Sequence, residues 1–280
     1  GRALQVDNLL DGSVQKIGEQ IRINVRIFST TDGQQLWSRT FDSDNQNVFK
    51  LQDDISSAIK EVIQPGSNPR PKIAKAISAQ AYEWYLMGQY HWRQRNPQAL
   101  SKAVNYFQHS LELAPDYADA HTGLAITFAQ LHHYANWSEK KAVEKALPHI
   151  EKALSLSPNS PTALAAKGMI LNLKAGYSYG NLSIDEEAQE AFLQSLALDN
   201  NATTLHWYSS FLRRQGKEEQ VVKHMNQALE LNPLSASLKR LYGGYLYSVG
   251  KPDSAQRLYQ RALILESNHF SHVIDATHIF

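Results

Sequence analysis

At 280 residues and 31.6 kDa the chain has room for about two ordinary domains, or for one repeat array with a small companion. Its 28 Lys and Arg nearly cancel 27 Asp and Glu, so no net field draws it to DNA, RNA or an anionic membrane, and direct nucleic-acid binding is not expected. The absence of cysteine removes disulfides, thiolate nucleophiles and thiolate metal sites while leaving the compartment open, and no run of about 18 apolar residues is present to span a bilayer.

Gly1 to Val6 reads as the end of a helix and Asp7 to Gln15 as a strand, followed by a turn at Lys16 to Glu19. From Ile21 the alternation is strict, with Ile21, Ile23, Val25 and Ile27 on one face and Arg22, Asn24 and Arg26 on the other, which predicts a half-buried strand. Thr31-Asp32-Gly33-Gln34 supplies a hairpin turn, and Gln35 to Asp42 the return strand with Leu36, Trp37 and Phe41. Polar residues from Asp44 to Asn47 offer N-cap groups, after which Val48, Leu51, Ile55, Ala58, Ile59 and Val62 recur at helical spacing. The expectation is a three-stranded antiparallel meander with one helix, a small α/β module over 1–64 that exposes an edge on its first strand. That edge is expected to be covered by the rest of the chain or by a neighbouring chain, or to have lost a strand. With Phe280 ending inside a helix, the chain reads as a piece of a longer protein, truncated at its N-terminus and without a signal peptide of its own.

Residues 65–76 form the expected linker, because Pro65, Pro69 and Pro71 forbid a helix and favour an extended hinge. From residue 77 the pattern is helical and repetitive. The clearest part runs from Leu205 to Ser267, where Tyr208, Leu212, Gly216, Lys217, Ala228, Leu229 and Leu231 return 34 residues later as Tyr242, Leu246, Gly250, Lys251, Ala262, Leu263 and Leu265. A phrase closing each unit recurs at Leu111, Leu154, Leu196, Leu229 and Leu263, at intervals of 43, 42, 33 and 34 residues, so two units are overlong and the surplus is expected in loops.

These units resemble the tetratricopeptide repeat (TPR), through Trp84, Met87-Gly88, Ala103, Phe107, Ser110 and Pro115 in the first and through Gly123, Ala146, Ile150, Ala153 and Pro158 in the second. The third shows Gly168, Ala188, Phe192 and Ser195, with Asn200 where Pro is usual; the fourth shows Tyr208, Ser209, Ala228 and Pro233; the fifth shows Tyr242-Gly243, Ala255, Tyr259 and Ala262. The resemblance implies a mainly α fold, an α-solenoid of about five helix-turn-helix repeats over 81–115, 117–158, 161–200, 202–233 and 236–267, with a further helix starting beyond. In such solenoids small residues let helices approach and aromatics fill the gaps, so these positions are structural.

A second resemblance lies in Leu10-Asp11-Gly12-Ser13-Val14-Gln15, Ile21-Arg22-Ile23-Asn24-Val25, Asp32-Gly33, Leu36-Trp37 and Phe49-Lys50-Leu51-Gln52-Asp53-Asp54-Ile55. It is similar to a module that precedes such repeats in bacterial signalling proteins, among them CadC-like membrane transcriptional regulators and some adenylate cyclases and kinases. The pairing implies a non-enzymatic sensor or interaction region, foremost of a membrane-bound transcriptional regulator and then periplasmic, with a cytoplasmic tail of a cyclase or kinase, or a general protein-assembly scaffold, as the alternatives.

Carried over from TPR solenoids, whose first helices line a groove, the ligand contacts would be Tyr82, Tyr85, Gln89 and Trp92, then Leu124 and Thr127, Met169 and Asn172, His206, Ser210 and Arg213, and finally Arg240 and Tyr247. Arg213 and Arg240 could fork onto a carboxylate, or stand solvated, or pair with acids such as Glu218. Tyr82, Tyr85 and Trp92 could instead pack under the α/β module. A second candidate is an insertion-loop patch of His132, His133, Tyr134, Trp137, Tyr177 and Tyr179, which serves a partner or packs upon itself. The expected partners are a protein or peptide, or a small-molecule signal, with a second copy of the chain as a further candidate.

Eleven histidines raise pH sensing, and His269, His272 and Asp275 raise a metal, but scattered histidines with no special task are commoner. No phosphate loop, nucleophile elbow or metalloprotease motif occurs. Asp53-Asp54 and Glu186-Glu187 read as helix-start residues. No catalytic residue, metal or cofactor is assigned.

Overall fold

The computed structural model describes residues 7–17, 20–44, 48–63, 77–178 and 182–267. Three strands come first, β1 (Asn8–Ile17), β2 (Gln20–Ser29) and β3 (Gln35–Asp44), then eleven helices among the described residues: α1 (Val48–Ile63), α2 (Ala79–Arg93), α3 (Pro97–Leu113), α4 (Ala118–Tyr134), α5 (Glu139–Leu156), α6 (Pro161–Tyr177), α7 (Leu182–Leu198), α8 (Ala202–Arg214), α9 (Glu218–Leu231), α10 (Ala236–Ser248) and α11 (Pro252–Ser267). The fold is mainly α: a TPR α-solenoid of five helix pairs, α2/α3 to α10/α11, preceded by a small α/β module. Two compact units divide the chain inside α2 and α3, one gathering 1–88 and 106–117, the other 89–105 and 118–280.

In the first unit the strands form an antiparallel meander in the order β1-β2-β3. Gly33, at φ +74°, makes the second turn, and the Asp32 carboxylate accepts from the Gln34 N–H at 3.1 Å. The alternation read in β2 sets the register. Val25 and Ile27 are buried, and Val25, Phe41, Leu51 and Ala58 make a core flanked by Ile21, Ile23, Trp37, Ile55 and Ile59. The opposite face is a polar ladder, where Arg22 pairs with Asp42 at 2.6 Å, Arg26 pairs with Asp11, and Asn24 bridges Ser13 and Thr40. Among the described residues β1 pairs with β2 alone and leaves Leu10 and Val14 half or more exposed, an apolar edge.

Helix starts in the solenoid follow side-chain caps. Asn96, Ser138, Ser160, Asn201 and Ser235 each accept from a backbone N–H three residues on. The small-residue positions are filled by rings from the paired helix: a β-carbon on Gly168 would meet Phe192 at 2.9 Å, and one on Gly243 would meet Tyr259 at 2.9 Å. Buried Ser195 donates to the Pro161 carbonyl at 2.8 Å, pinning α7 to the start of α6.

The surplus of the long repeats is not in loops. α4, α6 and α7 hold 17 residues each and α5 holds 18, against 13 in α8 and 14 in α9, so the extra chain adds about one turn per helix. His132, His133 and Tyr134 are the last turn of α4, and Tyr177 ends α6. No Gly or Pro falls between Leu131 and Ala135 in α4 or between Met169 and Ala175 in α6, so neither helix is stopped earlier. Two smaller expectations also shift. α1 starts at Val48 and α7 at Leu182, which places Asp53-Asp54 and Glu186-Glu187 past the first turn. The readings on Gly1 to Val6, on the linker, on Tyr179, and on His269, His272 and Asp275 fall outside the described residues.

Candidate functional site

The groove residues assigned from the sequence divide into three groups. Leu124 and Thr127 are fully buried, and the Thr127 hydroxyl donates to its own helix at the Gly123 carbonyl at 2.7 Å; both pack between helices and present nothing to a ligand. Tyr82 stacks on Tyr85 at 6.0 Å, and Tyr85 packs on Phe107 and Tyr117 within the first unit. Gln89, Trp92, Met169, Asn172, His206, Ser210 and Arg240 are half-buried in the second unit, where Arg213 and Tyr247 are exposed.

Within the last group a constellation forms that the sequence did not reveal as a whole. Arg95, two residues past α2, lies over the Trp92 ring with its guanidinium carbon 5.1 Å from the centroid. The Trp92 indole N–H donates to the buried Gln130 side chain at 3.0 Å, so α4 fixes the ring on which the arginine rests. The charge of Arg95 reaches both His206 on α8 and Arg240 on α10, while Arg213 acts on His206 and Tyr134 on Arg240. His206 keeps some water-accessible surface yet lies deep among protein atoms. Burial foremost, then Arg95 and Arg213, push its imidazole down to about 4, so it is neutral at pH 7. Burial likewise lowers Arg240, with Tyr134 opposing and Arg95 adding to the shift. Groups from α4, α8, α10 and the turn after α2 thus influence one another's charge within the second unit.

Other assigned residues are committed to the scaffold. Asn172 accepts from Arg214 Nε at 2.8 Å, and Arg214 also pairs with Asp185 and lies over Phe211, tying α6, α7 and α8 together. Ser210 donates to the His206 carbonyl at 3.4 Å. Arg213 makes no ion pair with Glu218; that carboxylate and Arg213 both act on Tyr245. In the second patch, Trp137 stacks on Phe128 at 6.0 Å and takes Lys141 over its ring at 4.0 Å. Burial raises the Tyr177 pKa, and the nearby Glu144 and Glu139 raise it further, so both repeats' aromatic ends meet the start of α5. His132 and His133 lie in ring contact, and burial lowers the His133 pKa with help from His132. A cleft of about 510 Å³ on α7 and α8, lined by Asp185, Glu186, Glu190, Leu193 and Phe211, contains no residue assigned from the sequence.

Sequence reasoning missed Arg95, Gln130, Arg214 and Asp185. One signal was present for Arg95: it stands two residues after its helix, where the fourth and fifth repeats have Gly216 and Gly250. Among the described residues no three His, Cys, Asp or Glu gather as a metal site requires, and no helix is long and apolar enough to cross a membrane.

The class defined by this architecture is a TPR solenoid joined to a small α/β module. No protein-family model matches the chain. It is 23% identical over 213 residues to the transcriptional regulator HilA of Salmonella typhimurium, a match covering 75% of this chain and 37% of HilA. It is 27% identical over 129 residues to a Rhizobium meliloti protein bearing the name adenylate cyclase 3, covering 45% of this chain and 22% of that protein. The chain therefore spans well under half the length of these curated relatives. Among solved structures it is similar to TTC0263, a thermophilic TPR protein of Thermus thermophilus, with a TM-score of 0.57 and 15% identity over 68% of this chain and 93% of that one. That likeness concerns the fold alone.

Proposed function

We propose that this chain is a non-enzymatic sensor and interaction region of a bacterial signalling protein, most simply a membrane-bound transcriptional regulator. The observation that carries the reading is the similarity to a transcriptional regulator over three quarters of the chain, together with a shorter similarity to a protein named as a cyclase. One type of region paired with different effectors fits an input part better than an output part. A TPR solenoid supports the same reading, since stacked helix pairs offer extended surfaces for partners. In this reading residues 65–76 link module and solenoid, and the first-helix residues Arg213 and Tyr247, which are exposed, with the half-buried Trp92 and Arg240, receive a protein or peptide segment, or a small signal. Occupancy then favours one arrangement of the parent protein over another. The second reading, a cytoplasmic region of a cyclase or kinase, rests on the Rhizobium similarity.

Two measurements test this. The sequence encoded upstream of Gly1 decides between parents: a DNA-binding domain followed by a membrane span supports the regulator, a catalytic domain the alternative, and neither leaves an assembly scaffold. In the full-length protein, a photo-crosslinking residue at Tyr247 should give one discrete adduct in cells. Its absence under inducing and non-inducing conditions alike would remove the partner-binding role.

A further inference from the structure

Of the two outer strands of the module, β1 lacks the devices that keep a sheet edge from pairing again. Exposed edges are commonly blunted by Lys, Pro, a bulge or a covering helix. On the far side of the sheet β3 has two of these, since α1 packs on it and its pairing with β2 is irregular at Ile27 and Phe28. From Leu9 to Gln15, β1 has neither Lys nor Pro and its register with β2 runs without a bulge. The charge in that stretch, Asp11, is taken up by Arg26.

The Thr30 N–H donates to the Asp7 carbonyl at 2.9 Å, which fixes the phase of the ladder. Odd-numbered residues of β1 turn their backbone groups toward β2, and Leu10, Gly12 and Val14 turn theirs outward. The same three residues lie on the core face of the sheet, opposite Ile27, Val25 and Ile23. Val25 and Ile27 are buried, yet Leu10 and Val14 are 52% and 68% exposed, because α1 lies over the β2 and β3 side. Between them Gly12 is kept bare, since a β-carbon there would meet the Asn24 carbonyl oxygen at 2.7 Å.

This pattern is complementary to itself. A second β1 laid antiparallel about a two-fold axis through Gly12, perpendicular to the sheet, keeps both apolar faces on one side. Leu10 of each copy then stands opposite Val14 of the other, which carries the Ile27 and Ile23 rows across the junction and joins two three-stranded sheets into one. On the polar face Asp11 meets Ser13 and Leu9 meets Gln15, so no like charges oppose. A slip one way sets Asp11 against its own copy, and a slip the other way puts Gly12 in place of Leu10 opposite Val14. A parallel join would turn the two apolar faces to opposite sides.

We propose that two copies of this chain associate by antiparallel β1 pairing centred on Gly12, which makes the module a dimerisation element. The occupant of the edge is a second copy because the strand itself supplies the matching register. The proposal is independent of what the solenoid receives. A junction of two strands is at the small end of specific interfaces, so the dimer is weak and reversible.

Sedimentation velocity of the 280-residue chain from about 5 to about 500 µM, a range that brackets weak association, should show a concentration-dependent monomer–dimer equilibrium. Val14→Lys should weaken it by at least about tenfold and leave the thermal midpoint of the monomer unchanged, because that side chain is exposed in the single copy. The chain has no cysteine, so introduced ones report the register directly. Oxidising a mixture of the Leu10→Cys and Val14→Cys variants should give a mixed disulfide-linked dimer, because opposed residues in such a ladder have Cα atoms about 5.5 Å apart. Neither variant should crosslink alone, since its like positions stand roughly 14 Å apart along the strand. Amide exchange at Leu10, Gly12 and Val14 should slow as the concentration rises. A chain that stays monomeric throughout, with no mixed disulfide, overturns the proposal. So does a dimer untouched by Val14→Lys, which associates through another face, or a Leu10→Cys variant that crosslinks to itself, which pairs in another register. If these amides are slow at every concentration, a different occupant holds the edge and the second copy falls.

Discussion

Two kinds of residue set measurable properties here: glycines under aromatic rings and histidines packed among protein atoms. Gly168→Val should destabilise the protein by roughly 2 kcal/mol, because the new side chain enters the space of Phe192 and overpacking of this kind costs about 1–3 kcal/mol. Gly176→Ala should do the opposite, stabilising by up to ~1 kcal/mol, since its β-carbon would meet only Glu139 Oε2 at 3.5 Å and alanine favours the helix. Urea denaturation of both variants checks the contrast in sign. For the histidines the sign runs through proton binding. His149, buried against Phe128 and in contact with His121 at 3.0 Å, has its pKa lowered to about 4 by burial first, then by His121 and Lys145, and His206 is lowered to about 4 as well. Between the unfolded value near 6.5 and the folded value the unfolded chain binds more protons. Stability is therefore full above about pH 6.5 and falls as the pH drops toward 4, by at most ~1.4 kcal/mol per pH unit for each histidine and by less at half-exposed His149. Asp119, whose pKa burial raises, opposes the trend at the acid end. Denaturation midpoints at pH 7.5, 6 and 5 should fall in that order, and His149→Gln should flatten the slope. A pH-independent midpoint would contradict the burial of these rings.

Elements were legible in the sequence wherever periodicity and caps coincided. The β2 alternation located the module core, Gly33 its hairpin turn, and the 34-residue echo the register of the last two helix pairs. The long repeats were misjudged because a surplus of chain looks the same in sequence whether it extends a helix or a loop; only the absence of Gly and Pro from Leu124 to Ala135 argued for helix. The candidate site was legible in part. The groove positions carried over from TPR solenoids included Arg213 and Arg240 but also Leu124, which is buried because α4 is enclosed on nearly every side. Arg95 escaped because it lies in a turn, and its electrostatic influence on Arg240 links residues 145 positions apart that no local pattern connects. Arg214 escaped for the same reason. It binds Asn172 and Asp185 from two other helices, with side chains under a third exposed on both sides of the pair. A double-mutant cycle of Arg214→Ala and Asp185→Ala should give a coupling of about 1 kcal/mol, above the few tenths typical of open surface pairs. Coupling near zero would mark the pair as incidental.

At the scale of the whole repeat array, stability is a sum of helix-pair terms and nearest-neighbour interfaces, so it need not be even along the chain. Burial is densest in α4, where ten of 17 residues are buried, and thin in α11, where the buried hydrophobics are Ala255 and Ala262, with Leu263 and Ile264 exposed at 42% and 61%. Opening from the α11 end therefore exposes little new apolar surface and costs little, whereas opening at α4 to α7 breaks interfaces on both sides. Amide hydrogen exchange should accordingly be slowest in α4 and α6 and quicken toward α11. The two glycine positions sharpen the expectation, because both place a β-carbon 2.9 Å from a ring but at different points of the array. Gly243→Val, crowding Tyr259 in the last pair, should accelerate exchange in α10 and α11 by tenfold or more and leave α4 to α7 unchanged. Gly168→Val, crowding Phe192 in the middle, should accelerate exchange across α5 to α9. If Gly243→Val instead loosened every helix equally, the array would be unfolding as one cooperative block, held by global stability and not by its local neighbours.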